Sequence, residues 1–302
     1  MGWRTVIISK TAKLDYKMGY LVVRSNEEVN RIHLSEINVL VIESTAVSLT
    51  AYLLVELANQ KIAIIFCDHK RNPHGQFIPL YGSHNTSDRI RKQTQWTEEI
   101  KKTIWQSIII QKIRGQSSIL QYRGMKLEAD KLMNYLPQVE PGDLTNREGH
   151  AAKVYFNRLF GNDFSRTDTE NLINAELNYG YAILLSVVNR EIVSNGYLTQ
   201  IGLHHDNMFN EFNLSCDIME PFRPYIDYVV LGLEHNGLTK EIKHSLVGIL
   251  NRKVIIEKRE QYFTNALAIY IKSVFDAIEK LNPALIKYPD YELSVYESNS
   301  DV

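Results

Sequence analysis

The spacing of hydrophobic residues changes near residue 85, and that change governs what this chain can fold into. Before it, apolar residues come in short runs rich in Val and Ile: Trp3–Ser9, Tyr20–Arg24 and Ile37–Glu43, separated by polar or Gly-containing turns. Runs of that length and make-up predict strands. Ser48–Gln60 interrupts them with helical spacing behind a Ser start signal, and Ile62–Phe66 is a short, wholly apolar run of the kind a buried strand presents. Residues 68–85 gather Pro73, Gly75, Pro79 and Gly82, and read as a linker with room for one short strand. Beyond it the apolar period lengthens to that of helices over 88–115, 117–136, 146–160, 170–195, 221–232, 240–250 and 259–281. The last twenty residues are polar, acidic and Pro-containing, and read as a loose end. The expected fold is α+β and multidomain. A small β-rich N-terminal domain covers residues 1–84, linker included, and a larger all-α domain covers 85–302.

Apolar residues make up 44% and charged ones 23%, so both parts can bury a core. No apolar run reaches the roughly eighteen residues a membrane helix needs, so no membrane partner is expected. The first residues read as a strand rather than a signal peptide. Cys67 and Cys216 suit neither a disulfide framework nor CxxC metal spacing, and a reducing cytoplasm is the expected location. A formal net charge of −1 argues against coating nucleic acid by bulk charge and leaves room for a localised basic groove.

Chemistry concentrates in three stretches of the helical part. Glu148 opens the run Asn146–Phe156 in a first helical turn, where the macrodipole alone accounts for an acid. His204 and His205 are adjacent, so they face different ways and at most one serves a given site. Asp217 and Glu220 are three apart and resemble a capping box with Pro221 in the first turn. Asp217 can cap while Glu220 reaches outward, in which case Asp217→Asn would be mild. Together these stretches offer carboxylate, imidazole and carboxylate, a donor set that suits Mg²⁺ or Mn²⁺ better than zinc.

At these residues the chain resembles the CRISPR-associated adaptation integrase family, the larger protein of the universal spacer-acquisition pair, in its type II form. The resemblance runs along nearly the whole sequence: GWRTVIIS, LSEINVLVIE, NREGHAAKVYF, LFGNDFSR, and GLHH followed by SCDIMEPFRP. It implies a metal triad of Glu148, His205 and Glu220, with Asp217 as the accessory catalytic acid. His205 is preferred over His204 because it lies twelve residues before Asp217. It further implies transesterification joining captured double-stranded DNA to a CRISPR repeat, and a homodimer formed through the N-terminal domain. Two such homodimers bracket a dimer of a small ferredoxin-like partner in a 4:2 complex, with further type II adaptation proteins beside it.

The residues themselves suggest where DNA would lie. Arg89, Arg91, Lys92, Lys101, Lys102, Lys112 and Arg114 fall on one predicted helical stretch, interleaved with Glu98 and Glu99 as on any solvated face. Arg147, Lys153 and Arg223 flank the triad and are the chosen phosphate contacts, while Arg158 and Arg166 lie nearby. Two other functions compete: a stand-alone metal-dependent nuclease on branched DNA, and a non-catalytic DNA scaffold whose acids only cap helices.

Overall fold

The computed structural model describes residues 2–26, 28–79 and 82–293. Strands β1 (Arg4–Ile8), β2 (Ala12–Lys17), β3 (Tyr20–Arg24), β4 (Val29–His33), β5 (Ile37–Ile42) and β6 (Val47–Leu49) lead into helix α1 (Ala51–Asn59). Strands β7 (Ala63–Cys67) and β8 (Pro73–Phe77) then complete two four-stranded sheets. One has the order β4-β3-β2-β6. In the other, β1-β5-β7-β8, β5 lies between two parallel neighbours and β8 closes an antiparallel edge.

Alternation on β5 and β7 ties the halves together. Leu40, Ile42 and Ile64 join Leu14, Leu21, Leu53 and Leu57 in a core of the N-terminal part. Val39, Val41, Ala63 and Ile65 face the other way, into the core formed by the helices. All six residues of β5 are buried. The sheet is a wall shared by two cores, and a strand apolar but for Asn38, whose side chain donates to the Gly2 carbonyl and accepts from Arg190, suits that position.

The chain continues as α2 (Thr86–Gln93), α3 (Glu98–Tyr122), α4 (Lys126–Met133), α5 (Arg147–Phe160), α6 (Leu172–Ser194), α7 (Asn213–Ile218), α8 (Arg223–Val230) and α9 (Lys240–Gly248). Strands β9 (Lys253–Ile256) and β10 (Arg259–Tyr262), helix α10 (Phe263–Glu279) and strand β11 (Pro289–Asp290) follow. A β-rich N-terminal region followed by a mostly helical one is the expected order. The helical part also carries a three-stranded sheet, β10-β9-β11, in which Arg259–Tyr262 is strand rather than the start of α10.

Local boundaries differ from the sequence reading for physical reasons. Thr50, not Ser48, caps α1 by accepting the Leu53 N–H. The predicted helix over 88–115 breaks at Thr94–Thr97, where Thr97 caps α3 by accepting the Ile100 N–H. Gly115, read as a boundary, lies inside α3 because Tyr291 presses on it. A Cβ there would stand 2.5 Å from the Tyr291 ring. The segment expected to be loose is therefore packed up to Leu293, which lies buried in the helical core, and the Tyr291 hydroxyl donates to the Pro221 carbonyl at 2.6 Å. Residues 294–302, the rest of that segment, lie outside the described residues.

Candidate active site

Helix α3 is the axis of the site. Ile104, Trp105, Ile108, Ile109 and Ile113 form its fully buried stripe, and Lys112 sits on that stripe, two turns beyond Trp105. The sequence reading put Lys112 among surface cations, and the structure corrects this. Its ammonium is 2.6 Å from Glu148 Oε1 and 2.6 Å from Glu220 Oε2, with its side chain 9% exposed. A lone Lys at a core position of an apolar helical stripe was the available signal.

Glu148 reaches this point because α5 is capped by other groups. Asn146, in left-handed backbone at φ 51°, accepts the Gly149 N–H, and the Asp143 carboxylate takes the Arg147 and Glu148 N–H groups at 2.8 and 2.9 Å. The Glu148 carboxylate is thereby free to turn to Lys112. Burial alone would raise this carboxyl. The Lys112 contact overrides that effect and holds it below the usual carboxylate range. The Lys112 ammonium, penalised by burial, is in turn held above its ordinary value by Glu148 and Glu220.

Asp217 is not a helix cap. It lies near the end of α7, and neither the following 3-10 turn at Glu220–Phe222 nor α8 receives a side-chain cap. Its fully buried carboxylate instead organises the histidine loop, accepting the N–H groups of Leu203, His204 and His205 at 2.6, 2.9 and 3.2 Å. His205 Nδ1 donates to it at 2.5 Å, which fixes the tautomer and leaves Nε2 as the ring's basic nitrogen. This hydrogen bond is the first cause that raises the His205 pKa, against burial that lowers it. Gly202 lets the loop wrap so closely: a Cβ there would meet the His205 carbonyl at 2.3 Å. Asn213, also buried, ties the loop by donating to the Gln200 and Asn207 carbonyls.

The adjacent histidines separate as alternation requires. His204 stacks flat on Trp105, with centroids 4.5 Å apart and planes 2° from parallel. His205 stands edge-on to the same indole, its side chain 43% exposed. Trp105 and Gly202 thus shape the site; the sequence reading did not name Trp105 and quoted Gly202 only as the first residue of GLHH.

Of the chosen phosphate contacts, Lys153 is exposed and makes no ion pair among the described residues. Arg147 lies over the Tyr135 ring. Arg223 is held by Glu220 Oε1 at 3.2 Å and by the face of Tyr181 at 4.7 Å. Among the others, Arg89 pairs with Glu279, Lys92 with Asp88, Lys101 with Glu98 and Arg158 with Glu128. Arg166 is engaged by Asn174 and Asn178. Arg91, Lys102 and Arg114 stay exposed without an acid partner among the described residues.

Beneath Arg223, Tyr181 donates its hydroxyl to Asp227, a buried carboxyl that burial raises to about 6. The folded state therefore holds a proton that the unfolded chain releases between the ordinary value of 3.8 and about 6. This group's contribution to stability falls as pH rises through that window. Urea unfolding at stepped pH is expected to show a weaker decline there for Asp227→Asn than for the wild-type chain.

The arrangement can bind a cation. Two carboxylate oxygens converge on one positively charged atom, and an oriented imidazole stands beside them, close enough for both acids to bias its charge. With Lys112 in place, no three His, Cys, Asp or Glu side chains among the described residues already share a metal-sized point.

The family model for CRISPR associated protein Cas1 matches residues 5–255. The chain belongs to the Cas1 family. It is 35% identical over 297 residues to a CRISPR-associated endonuclease Cas1 of Neisseria meningitidis, covering 96% of this chain and 97% of that one. The Cas1 fold recurs in a casposase bound to integration product, with a TM-score of 0.74, 17% identity, and coverage of 93% of this chain and 92% of that one. It recurs also in a Cas6-RT-Cas1–Cas2 complex, with a TM-score of 0.72 and 18% identity. There it covers 94% of this chain and 36% of the much longer neighbour. No helix among the described residues is long and apolar enough to cross a membrane.

Proposed function

We propose that this Cas1 chain is a metal-dependent DNA integrase of spacer acquisition, in which Glu148, His205 and Glu220 hold one Mg²⁺ or Mn²⁺ ion. The observation that carries this reading is the locking of His205 Nδ1 onto buried Asp217 beside two convergent carboxylates. A buried acid that fixes one imidazole nitrogen presents the other as a ligand. A cation bound there would polarise the phosphodiester and favour the ionised form of the attacking hydroxyl. Asp217 keeps His205 oriented, Arg223 holds the Glu220 carboxylate, and Lys153, exposed on α5, meets the DNA backbone. The 3′-oxygen of captured DNA forms a bond to the phosphorus at the repeat's 5′ end as the bond from that phosphorus to the flanking strand's 3′-oxygen breaks, and the attacking hydroxyl's proton ends on the released 3′-oxygen. One ester replaces another, so no ATP is consumed. With water as nucleophile the same site acts as an endonuclease.

The test is a gel-shift and a strand-joining assay run in parallel. Duplex binding is expected to survive EDTA and to weaken steeply with salt, because phosphate contacts release counterions. Joining is expected to stop in EDTA and return with Mg²⁺ or Mn²⁺. Lys153→Ala is expected to lower the salt slope by about one. Joining that persists in EDTA would overturn the metal reading.

The chain is further proposed to form homodimers through its N-terminal part and to join a small ferredoxin-like partner, as the Cas1–Cas2 neighbour suggests. A 4:2 complex with duplex DNA, open to further adaptation proteins, follows from that assembly. Removing residues 1–84 is a poor test, since α6 packs against β7 and β8 and would lose that cover. Helix α1 buries Leu53 and Leu57 and leaves Tyr52 and Val55 more than half exposed. Val55→Glu costs little fold stability at such a site. It is expected to shift the full-length chain toward monomer in sedimentation, and an unchanged dimer would move the interface off this face.

A further inference from the structure

We infer that Lys112 is the site's own counter-cation, displaced by the divalent metal and received by a DNA phosphate, so that metal and substrate load together. This rests on the metal reading above. The Lys112 ammonium spans the gap between Glu148 Oε1 and Glu220 Oε2 at 2.6 Å from each, and Arg223 takes the other Glu220 oxygen. Two acids facing two cations leave this pair without net charge to attract a free ion. A divalent cation in the same gap would lie beside the ammonium, and like charges at that distance in a part-buried site repel strongly. The ammonium must therefore withdraw, and its flexible four-carbon stem allows it to do so.

Withdrawal from a position 9% exposed needs a new anion. Asp227, the other buried acid in the field of Lys112, is occupied by Tyr181. A phosphate of DNA lying across the exposed edges of His205 and Glu148 supplies the charge, and its arrival frees both carboxylates. Lys112 is thus a positioning residue in the metal-free chain and a phosphate partner in the loaded one. Linkage then requires DNA to tighten metal binding and metal to tighten DNA binding by the same factor.

The experiment measures Mn²⁺ binding by electron paramagnetic resonance, with and without a short duplex, corrected for Mn²⁺ held by the duplex alone. Thermal unfolding in EDTA and in Mn²⁺ is followed alongside it. In the wild-type chain the duplex is expected to tighten Mn²⁺ binding. Lys112→Met is expected to bind Mn²⁺ without DNA at least about tenfold more tightly than wild type. It is also expected to lose most of the effect of the duplex, and to unfold at lower temperature in EDTA with recovery in Mn²⁺. Lys112→Arg keeps a cation and guards against a Met variant that fails to fold. Its fork grips the acids more firmly, so its Mn²⁺ binding is expected to weaken. Mn²⁺ affinity unchanged or weaker in Lys112→Met, or unchanged in Lys112→Arg, overturns the proposal while leaving the triad standing, provided Glu148→Gln abolishes Mn²⁺ binding. Mn²⁺ bound by Glu148→Gln as by wild type takes down both.

Discussion

Strand joining by Glu148→Ala, His205→Ala and Glu220→Ala is expected to fall by about a thousandfold or more, with each chain still folded. On the proposed metal reading, losing a ligand removes transition-state stabilisation of several kcal/mol, and every ~1.4 kcal/mol is tenfold in rate. The three differ in side effects. Glu220 is nearly buried, and its truncation leaves Lys112 and Arg223 facing each other without their shared acid, so its melting temperature falls most. His205 is part-exposed, and its loss should scarcely move the fold. Single-turnover joining with circular-dichroism melts separates chemistry from stability. His204→Ala is the control: a ring stacked on Trp105 contributes packing, so the variant should keep most of its joining rate. Full activity in His205→Ala would reverse the assignment of the two histidines.

The second large effect is expected at Asp217. As a helix cap, Asp217→Asn would have been mild, since an amide caps nearly as well as an acid. The carboxylate is instead surrounded by donors: three successive backbone N–H groups and His205 Nδ1. An amide brings its own NH₂ into that ring and sets donor against donor in a fully buried place. Each buried donor left unpaired costs about 1–3 kcal/mol. Asp217→Asn should therefore lose roughly 2–5 kcal/mol in urea unfolding. Its joining rate should fall toward that of His205→Ala, because the imidazole loses the hydrogen bond that fixes its tautomer. Near-wild-type joining would mean that the loop holds its shape without Asp217.

The sequence disclosed those parts of the molecule that local rules dictate. Alternating and continuous apolar runs marked β1, β3, β5 and β7, and the lengthened period marked α5, α6 and α9 within a few residues. The resemblance singled out Glu148, His205, Asp217 and Glu220; the structure sets Glu148 and Glu220 on either side of Lys112, and His205 against Asp217. What stayed hidden depends on distant partners. Gly115 and Gly202 look like punctuation in a string of letters, yet each makes room for a group remote in the chain, Tyr291 in one case and Asp217 in the other. Lys112 looked like one of many surface cations because a helix's charge pattern is silent about which of its faces is inward. Its place among Ile108, Ile109 and Ile113 was the one clue. Strands β9, β10 and β11 were missed because segments of two to four residues carry too few alternations to register.

The sheet that faces two cores has a consequence for how the molecule comes apart. Val39 and Val41 point into one core while Leu40 and Ile42 point into the other, all on one strand. Neither core can melt without uncovering half of β5, and a bare apolar strand between two parallel neighbours cannot be left standing in water. The halves therefore melt as one cooperative unit, and a calorimetric scan should contain a single endotherm, not two. A chain built this way offers proteases no half-folded intermediate with an intact catalytic part: it is either wholly present or wholly exposed to degradation.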